Sequence, residues 1–190
     1  MPTLRTFIAV EVASDVRSRA CDLVERLRKT GVKATWTHPN NRHLTLKFLG
    51  DTEEGRVPEI CSAVAAAARD HRPFRLQFVG AGAFPNCHRP RTVWLGVQEG
   101  EAAICALADR IETTLERLGV RREKRRFKPH LTLGRVRGSG PSQLDLGRQV
   151  EANAAFDAGV SRVEEVVVFA SFLEPSGPTY QVMAHAPLEG

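Results

Sequence analysis

His43-Leu44-Thr45-Leu46 and His130-Leu131-Thr132-Leu133 are the same tetrapeptide, repeated 87 positions apart in a chain of 190 residues. Each stands inside an apolar run, Arg42 to Leu49 and Lys128 to Val136, with the pattern of a strand. A strand alternates its side chains between two faces, so an extended His-Leu-Thr-Leu points His and Thr one way and both leucines the other. The leucines can pack on a core while the polar pair faces water. Two such strands can set two imidazoles and two hydroxyls around one small pocket. That set suits a reaction in which one proton is removed, another is delivered, and an anion is held between them.

Around the motifs the chain alternates helical and extended patterns. Leu4 to Val12 reads as a buried strand. Ser14-Asp15 offers a helix N-cap, Val16, Ala20, Leu23, Val24 and Leu27 follow at helical spacing, and Gly31 is a stop. Thr35 to Thr37 is a short extended piece and Pro39-Asn40-Asn41 a turn, with Gly50-Asp51 closing the first motif strand. A second helix is predicted from about Glu54 to Arg69, with Val57, Ile60, Cys61, Val64 and Ala68 inward. Pro73 to Gly80 reads as a strand, Ala81 to Pro90 as a loop, and Arg91 to Gln98 as a strand. Glu101 to Leu118 is the clearest helix, with one apolar stripe through Ile104, Leu107, Ala108, Ile111, Leu115 and Leu118, ended by Gly119. After the second motif come a Gly138–Pro141 loop, a short helix within Leu144–Asn153, and one strand over Ser161–Leu173. A Pro175-Ser176-Gly177-Pro178 turn and a hairpin partner over Thr179–Ala186 complete the chain.

This order, with hairpins in each half, indicates an α+β fold. The expected architecture is bilobal and pseudo-symmetric, with two antiparallel or mixed sheets flanked by helices around a central cleft. Residues 1–190 form one domain in this reading, with one motif per lobe.

Composition narrows the function classes. With 42% hydrophobic residues the chain can build a substantial core, and no apolar run approaches the roughly 20 residues that span a bilayer. Met1 to Val10 lacks the features of a signal peptide, so a cytoplasmic protein without membrane partners is expected. Cys21, Cys61, Cys87 and Cys105 form no metal-binding spacing and read as buried, reduced thiols. The formal charge is +5, and six of the eight residues from Arg121 to Lys128 are basic. Such a run is often only a solvated loop. Here it leads directly into Pro129-His130, which points to an anionic substrate.

Histidine titrates near pH 6.5, so one imidazole can take a proton from water while another gives one to a leaving oxygen. The threonine hydroxyls can donate to phosphoryl oxygens as charge develops. No metal or other cofactor is needed, and no His-Glu-x-x-His, P-loop or Gly-x-Ser-x-Gly is present. A metal site from His43, His130 and His38 lacks a supporting Cys or carboxylate at suitable spacing. His38, His71, His88 and His185 do not repeat the His-x-Thr pattern and read as local structural residues.

The chain resembles the two-histidine (2H) phosphoesterase superfamily, in its RNA 2′,3′-cyclic phosphodiesterase branch, historically called 2′-5′ RNA ligase. The resemblance runs nearly end to end. It includes Arg5-Thr6-Phe7-Ile8-Ala9-Val10, Trp36, and His43 through Gly50 (HLTLKFLG). It continues through Gly82-Ala83-Phe84-Pro85, Pro90 through Val97 (PRTVWLGV) and Phe127 through Val136 (FKPHLTLGRV). Ser171-Phe172-Leu173 and Gly177-Pro178-Thr179-Tyr180 complete it. The resemblance implies a positively charged groove and hydrolysis of a 2′,3′-cyclic phosphate at an RNA 3′ end to a 2′-phosphate. It implies His43 as proton donor, His130 as the base that activates water, and Thr45 and Thr132 as phosphate ligands. The reverse reaction, joining a 2′-phosphate-type end to a 5′-hydroxyl, is expected as a weak ligase activity. From the residues alone, the near-symmetry of the motifs leaves the assignment of acid and base open.

Four further residues are candidates for substrate binding. Lys47 shares the face of His43 and Thr45 by alternation, with a solvated lysine as the alternative. Arg135 would point away from His130 in a regular strand and reach the site only through a bulge at Gly134; the resemblance implies that it is functional. Phe84 and Trp94 are candidates to stack a base, with core packing the better reading for Trp94. Tyr180 either borders the pocket or caps a strand, while Phe48 and Leu49 read as core. The expected partner is an RNA end bound by a monomer. Two other readings stay open: a phosphodiesterase for a 2′-5′ oligoadenylate, cyclic nucleotide or cyclic ADP-ribose phosphate, and an RNA-binding module without turnover.

Overall fold

The run Phe7-Ile8-Ala9-Val10 is apolar without alternation, as in a strand covered on both faces, and all four residues are buried. In the computed structural model, which describes residues 2–175 and 177–190, this run lies within β1 (Thr3–Glu11). β1 is an inner strand of a four-stranded sheet with the order β3 (His43–Glu53), β1, β8 (Glu165–Glu174), β9 (Gly177–Pro187). A five-stranded sheet has the order β2 (Ala34–Trp36), β6 (His130–Val136), β5 (Thr92–Val97), β4 (Phe74–Phe84), β7 (Asp157–Val163). Every neighbouring pair in both sheets is antiparallel.

The fold is α+β, with helices packed on two antiparallel sheets. The helix α1 (Ser14–Arg28) packs on β7, and α4 (Pro141–Ala152) packs on β4. On the other sheet, α2 (Val57–Arg69) packs on β8 and β9, and α3 (Glu101–Glu116) packs on α2 and β3. The apolar stripe of α3 is buried as expected at Ile104, Leu107, Ala108, Ile111 and Leu115. A continuous core joins these helices to Leu44, Leu46, Leu131 and Leu133. A smaller cluster of Phe7, Ala9, Val167 and Phe169, with Tyr180, lies on the opposite face of the four-stranded sheet. Among the described residues no helix is long and apolar enough to cross a membrane.

Several boundaries differ from the sequence reading. Ser14 is the first helical residue rather than a cap; Ala13 is the N-cap, and its N–H donates to Ser161 Oγ at 2.9 Å. The second helix starts at Val57 after a 3₁₀ turn over Glu54–Arg56, where Pro58 fits the first helical turn. Ala81–Phe84 continue β4 instead of forming a loop. The glycines that suggested a loop serve packing there: a Cβ on Gly82 would collide with the Trp94 ring across the strand pair. Gly50-Asp51 also stays within its strand, because Gly50 adopts φ 72° at a register irregularity. The apolar stretch Ser161–Leu173 is two strands, β7 and β8, placed in different sheets. Pro141 begins α4, and Gly177-Pro178 begin β9; Ser176 of the expected turn lies outside the described residues. The cysteines are free and only partly buried.

Candidate active site

β3 carries the first motif at the edge of its sheet, and its register with β1 determines what faces the site. Glu11 pairs with His43, Val10 with Leu44, Ala9 with Thr45, Ile8 with Lys47 and Phe7 with Phe48. Leu46 is passed over, which is a β-bulge. Paired residues in an antiparallel sheet point the same way. His43, Thr45 and Phe48 therefore share the open face of Phe7 and Ala9, while Leu44 and Lys47 share the core face of Val10 and Ile8. The His43 ring stacks 4.7 Å from Phe7 and meets Tyr180 edge-on at 5.3 Å. Tyr180 thus stands beside His43.

The second motif repeats this device. In the pairing of β6 with β5, Gly96 faces His130, Trp94 faces Thr132, Val93 faces Gly134 and Thr92 faces Arg135, with Leu133 passed over. The bulge changes the phase, so Arg135 joins His130 and Thr132 on the open face. The bulge that Arg135 needs in order to reach the site is thus present. Gly134 is required at the kink: a Cβ there would lie 2.6 Å from the Trp36 ring. Phe84 meets the His130 ring edge-on at 5.0 Å, and Trp94 lies 6.2 Å from it. Both aromatic rings therefore stand beside His130, and Trp94 also packs on Gly82. Each half reads His-x-Thr-x-x-Z on the open face, where Z is Phe48 in one and Arg135 in the other.

Two expectations fail, for one reason. Lys47 is 6% exposed, and its ammonium donates to Glu112 Oε2 at 2.7 Å and to the Arg121 carbonyl at 3.0 Å. It does not share the face of His43. Phe48, read as core, is 70% exposed. The bulge at Leu46 exchanges the two positions, so plain alternation misplaced both and missed Phe48 as a site residue. Its signal was available: Phe48 and Arg135 occupy the same offset from their histidines. Three of the other four histidines, all but His88, have local bonds. His38 accepts from the Asn40 N–H, while His71 bonds to the Ala67 carbonyl and His185 to Glu165.

β3 contacts β6 of the other sheet, so the two motif strands are neighbours. Arg135 links them electrostatically. Its charge adds to the lowering of the His130 pKa, and it opposes the rise that burial causes in the Tyr180 phenol. For His130, burial is the largest cause of the lowering; Lys128 and Arg135 add to it, and a bond to the Lys128 carbonyl opposes it. His130 Nδ1 lies 2.7 Å from that carbonyl. Donation there would place the proton on Nδ1 and leave Nε2 with a free lone pair. Burial lowers His43 to about 4, against the opposing effect of the Asn41 backbone.

This shift has a consequence for stability. Between pH 6.5 and 4 the unfolded chain protonates His43 while the folded chain does not. His43 therefore contributes stability above its ordinary pKa that is lost as pH falls to about 4, amounting to about 3 kcal/mol. His130 acts in the same direction. The denaturation midpoint of the wild type is expected to fall over this range. His43→Phe, which keeps a ring beside Phe7 but cannot titrate, should flatten the fall. An unchanged pH slope in that variant would rule the assignment out.

Comparison with known proteins places this geometry among phosphoesterases. The profile of the 2′-5′ RNA ligase superfamily matches residues 16–172. An Archaeoglobus fulgidus protein named RNA 2′,3′-cyclic phosphodiesterase is 36% identical over 179 residues, covering 94% of this chain and 97% of the relative. A Methanothermobacter thermautotrophicus protein of the same name is 35% identical over 181 residues, covering 95% and 96%. A crystal structure of a Thermus thermophilus protein superposes with a TM-score of 0.79 at 29% identity, covering 98% of each chain. Escherichia coli LigT, solved with 3′-AMP, gives a TM-score of 0.76 at 23% identity over 99% of each chain, a likeness of fold.

Proposed function

Since the chain belongs to the 2′-5′ RNA ligase superfamily, we propose that it is an RNA 2′,3′-cyclic phosphodiesterase using His43 and His130 as its acid–base pair. What supports the reading is the matched display of His43-x-Thr45 and His130-x-Thr132 on the open faces of two strands that contact one another. His130 is the base. Burial, with the charges of Lys128 and Arg135 added, favours its neutral imidazole, and a proton on Nδ1 toward the Lys128 carbonyl leaves Nε2 to receive one from water. The water oxygen bonds to phosphorus as the bond from phosphorus to O3′ breaks. His43 gives its proton to the departing O3′, which leaves a 2′-phosphate.

His43 is largely neutral at pH 7 before substrate arrives. An anionic phosphate beside it favours the charged imidazole, so binding and protonation are coupled. Thr45, Thr132 and Arg135 lie on the faces from which they can donate to the phosphoryl oxygens. Phe48 and Phe84 offer aromatic faces for unstacked bases. Attack by a 5′-hydroxyl in place of water would give a 2′-5′ linkage, the weak ligation expected of the same site.

The test is hydrolysis of an RNA oligonucleotide ending in a 2′,3′-cyclic phosphate, in EDTA, with the product read by phosphorus NMR. A 2′-phosphomonoester is expected. A 3′-phosphate would exchange the leaving oxygen and overturn the mechanism. No turnover would move the reading to another phosphoester or to binding alone.

A further inference from the structure

The segment between α3 and β6 contains six basic residues in Arg121–Lys128, and its cations are not equivalent. The first part is anchored. Lys47 Nζ bridges Glu112 Oε2 and the Arg121 carbonyl, and Glu112 Oε2 also accepts from the Glu123 N–H at 3.3 Å. Arg122 folds back on α3, ion-paired to Asp109 and Glu116. The motif strand β3 thus holds the segment that leads into the motif strand β6.

The later cations are presented to solvent. Lys124, Arg125 and Arg126 are exposed, and no ion pair engages their side chains among the described residues. Lys128 Nζ stands 4.5 Å from the centroid of the Trp94 ring and 5.5 Å from that of Phe84. Those are the rings that wall His130. The cations therefore run from a fixed anchor to the edge of the reacting site, within about 20 Å of chain. Proteins that hold single-stranded nucleic acid combine a positive path for the backbone with aromatic faces at the bases. An anchored segment loses less conformational freedom when a strand binds.

We propose that residues 124–128 form a track for the RNA strand leading to the cyclic end, with Lys124, Arg125 and Arg126 contacting upstream phosphodiesters and Lys128 contacting the one nearest the site. This inference rests on the RNA-end reading above. It makes the enzyme selective for oligonucleotides over nucleoside cyclic phosphates, because only the former reach the track.

The experiment compares two substrates, a nucleoside 2′,3′-cyclic monophosphate and an RNA decamer with a 2′,3′-cyclic end. Each is tested with wild type and with a Lys124→Gln, Arg125→Gln, Arg126→Gln triple variant, over a range of salt. The triple variant is expected to lose roughly tenfold or more in kcat/KM on the decamer, with a change under about twofold on the mononucleotide. Its salt slope for the decamer should be shallower by about 2, from roughly 0.7 per lost contact to a single strand. Lys128→Gln should also lower decamer turnover, and Lys128→Arg should restore it. Equal losses on both substrates, or none, would overturn the track. Failure of wild type to turn over either substrate would overturn the functional reading itself, and the track with it.

Discussion

His130→Ala is expected to lower kcat on a cyclic-phosphate RNA end by about 10²–10⁴-fold, and His43→Ala by a comparable factor, since each removes one positioned proton-transfer group. The two losses should combine less than additively, because acid and base act in one displacement. The roles can be separated by the leaving group. With sulfur in place of the bridging 3′ oxygen, the departing thiolate needs little help from an acid. His43→Ala should recover much of its lost rate on that substrate, and His130→Ala should not. The opposite pattern would exchange the assignments, and recovery by neither would remove His43 as proton donor. His43 sits against Phe7 and Tyr180, so thermal melts must accompany the kinetics to separate a cavity effect from a chemical one.

Lys47→Met is expected to cost about 3–5 kcal/mol of stability, since it leaves a largely buried Glu112 carboxylate without its cation. Side-chain exposure is 4% for Lys47 and 13% for Glu112, which separates this pair from the exposed ion pairs elsewhere on the surface. Adding Glu112→Leu to Lys47→Met should recover much of the loss, because the unpaired charge is then gone. On a nucleoside cyclic phosphate, at a temperature where the variant is folded, kcat should stay near the wild-type value. A large fall in kcat with unchanged stability would return Lys47 to the substrate face and refute the register described for β3.

The contrast between Lys47 and Arg135 shows where reading the sequence succeeds and where it stops. Alternation from His43 places Lys47 in the site, and alternation from His130 places Arg135 outside it. The structure reverses both. In each strand the leucine after the motif threonine, Leu46 or Leu133, is passed over in the pairing, and the side chains that follow it change face, in β3 until Leu49 is passed over in turn. A bulge arises from how one strand pairs with its neighbour, and that neighbour lies far along the chain. β1 precedes its bulged partner by tens of residues, and β5 stands on the far side of α3 from β6. The same limit explains why Ser161–Leu173 read as one strand. Two apolar strands separated at Glu164 look continuous until the sheet each one joins is known.

By itself the sequence determined the α+β class, the position of the long helices, the two His-x-Thr pairs and the basic run that precedes the second. These rest on local periodicity and residue chemistry, which a single segment carries within it. Tertiary structure alone decided which strand joins which sheet, and that Phe48 and Arg135 rather than Lys47 stand beside the histidines. It also decided that Lys47 anchors the basic segment through Glu112. Those outcomes depend on contacts between residues distant in the chain, where pairing register and burial select among arrangements that local pattern leaves equal.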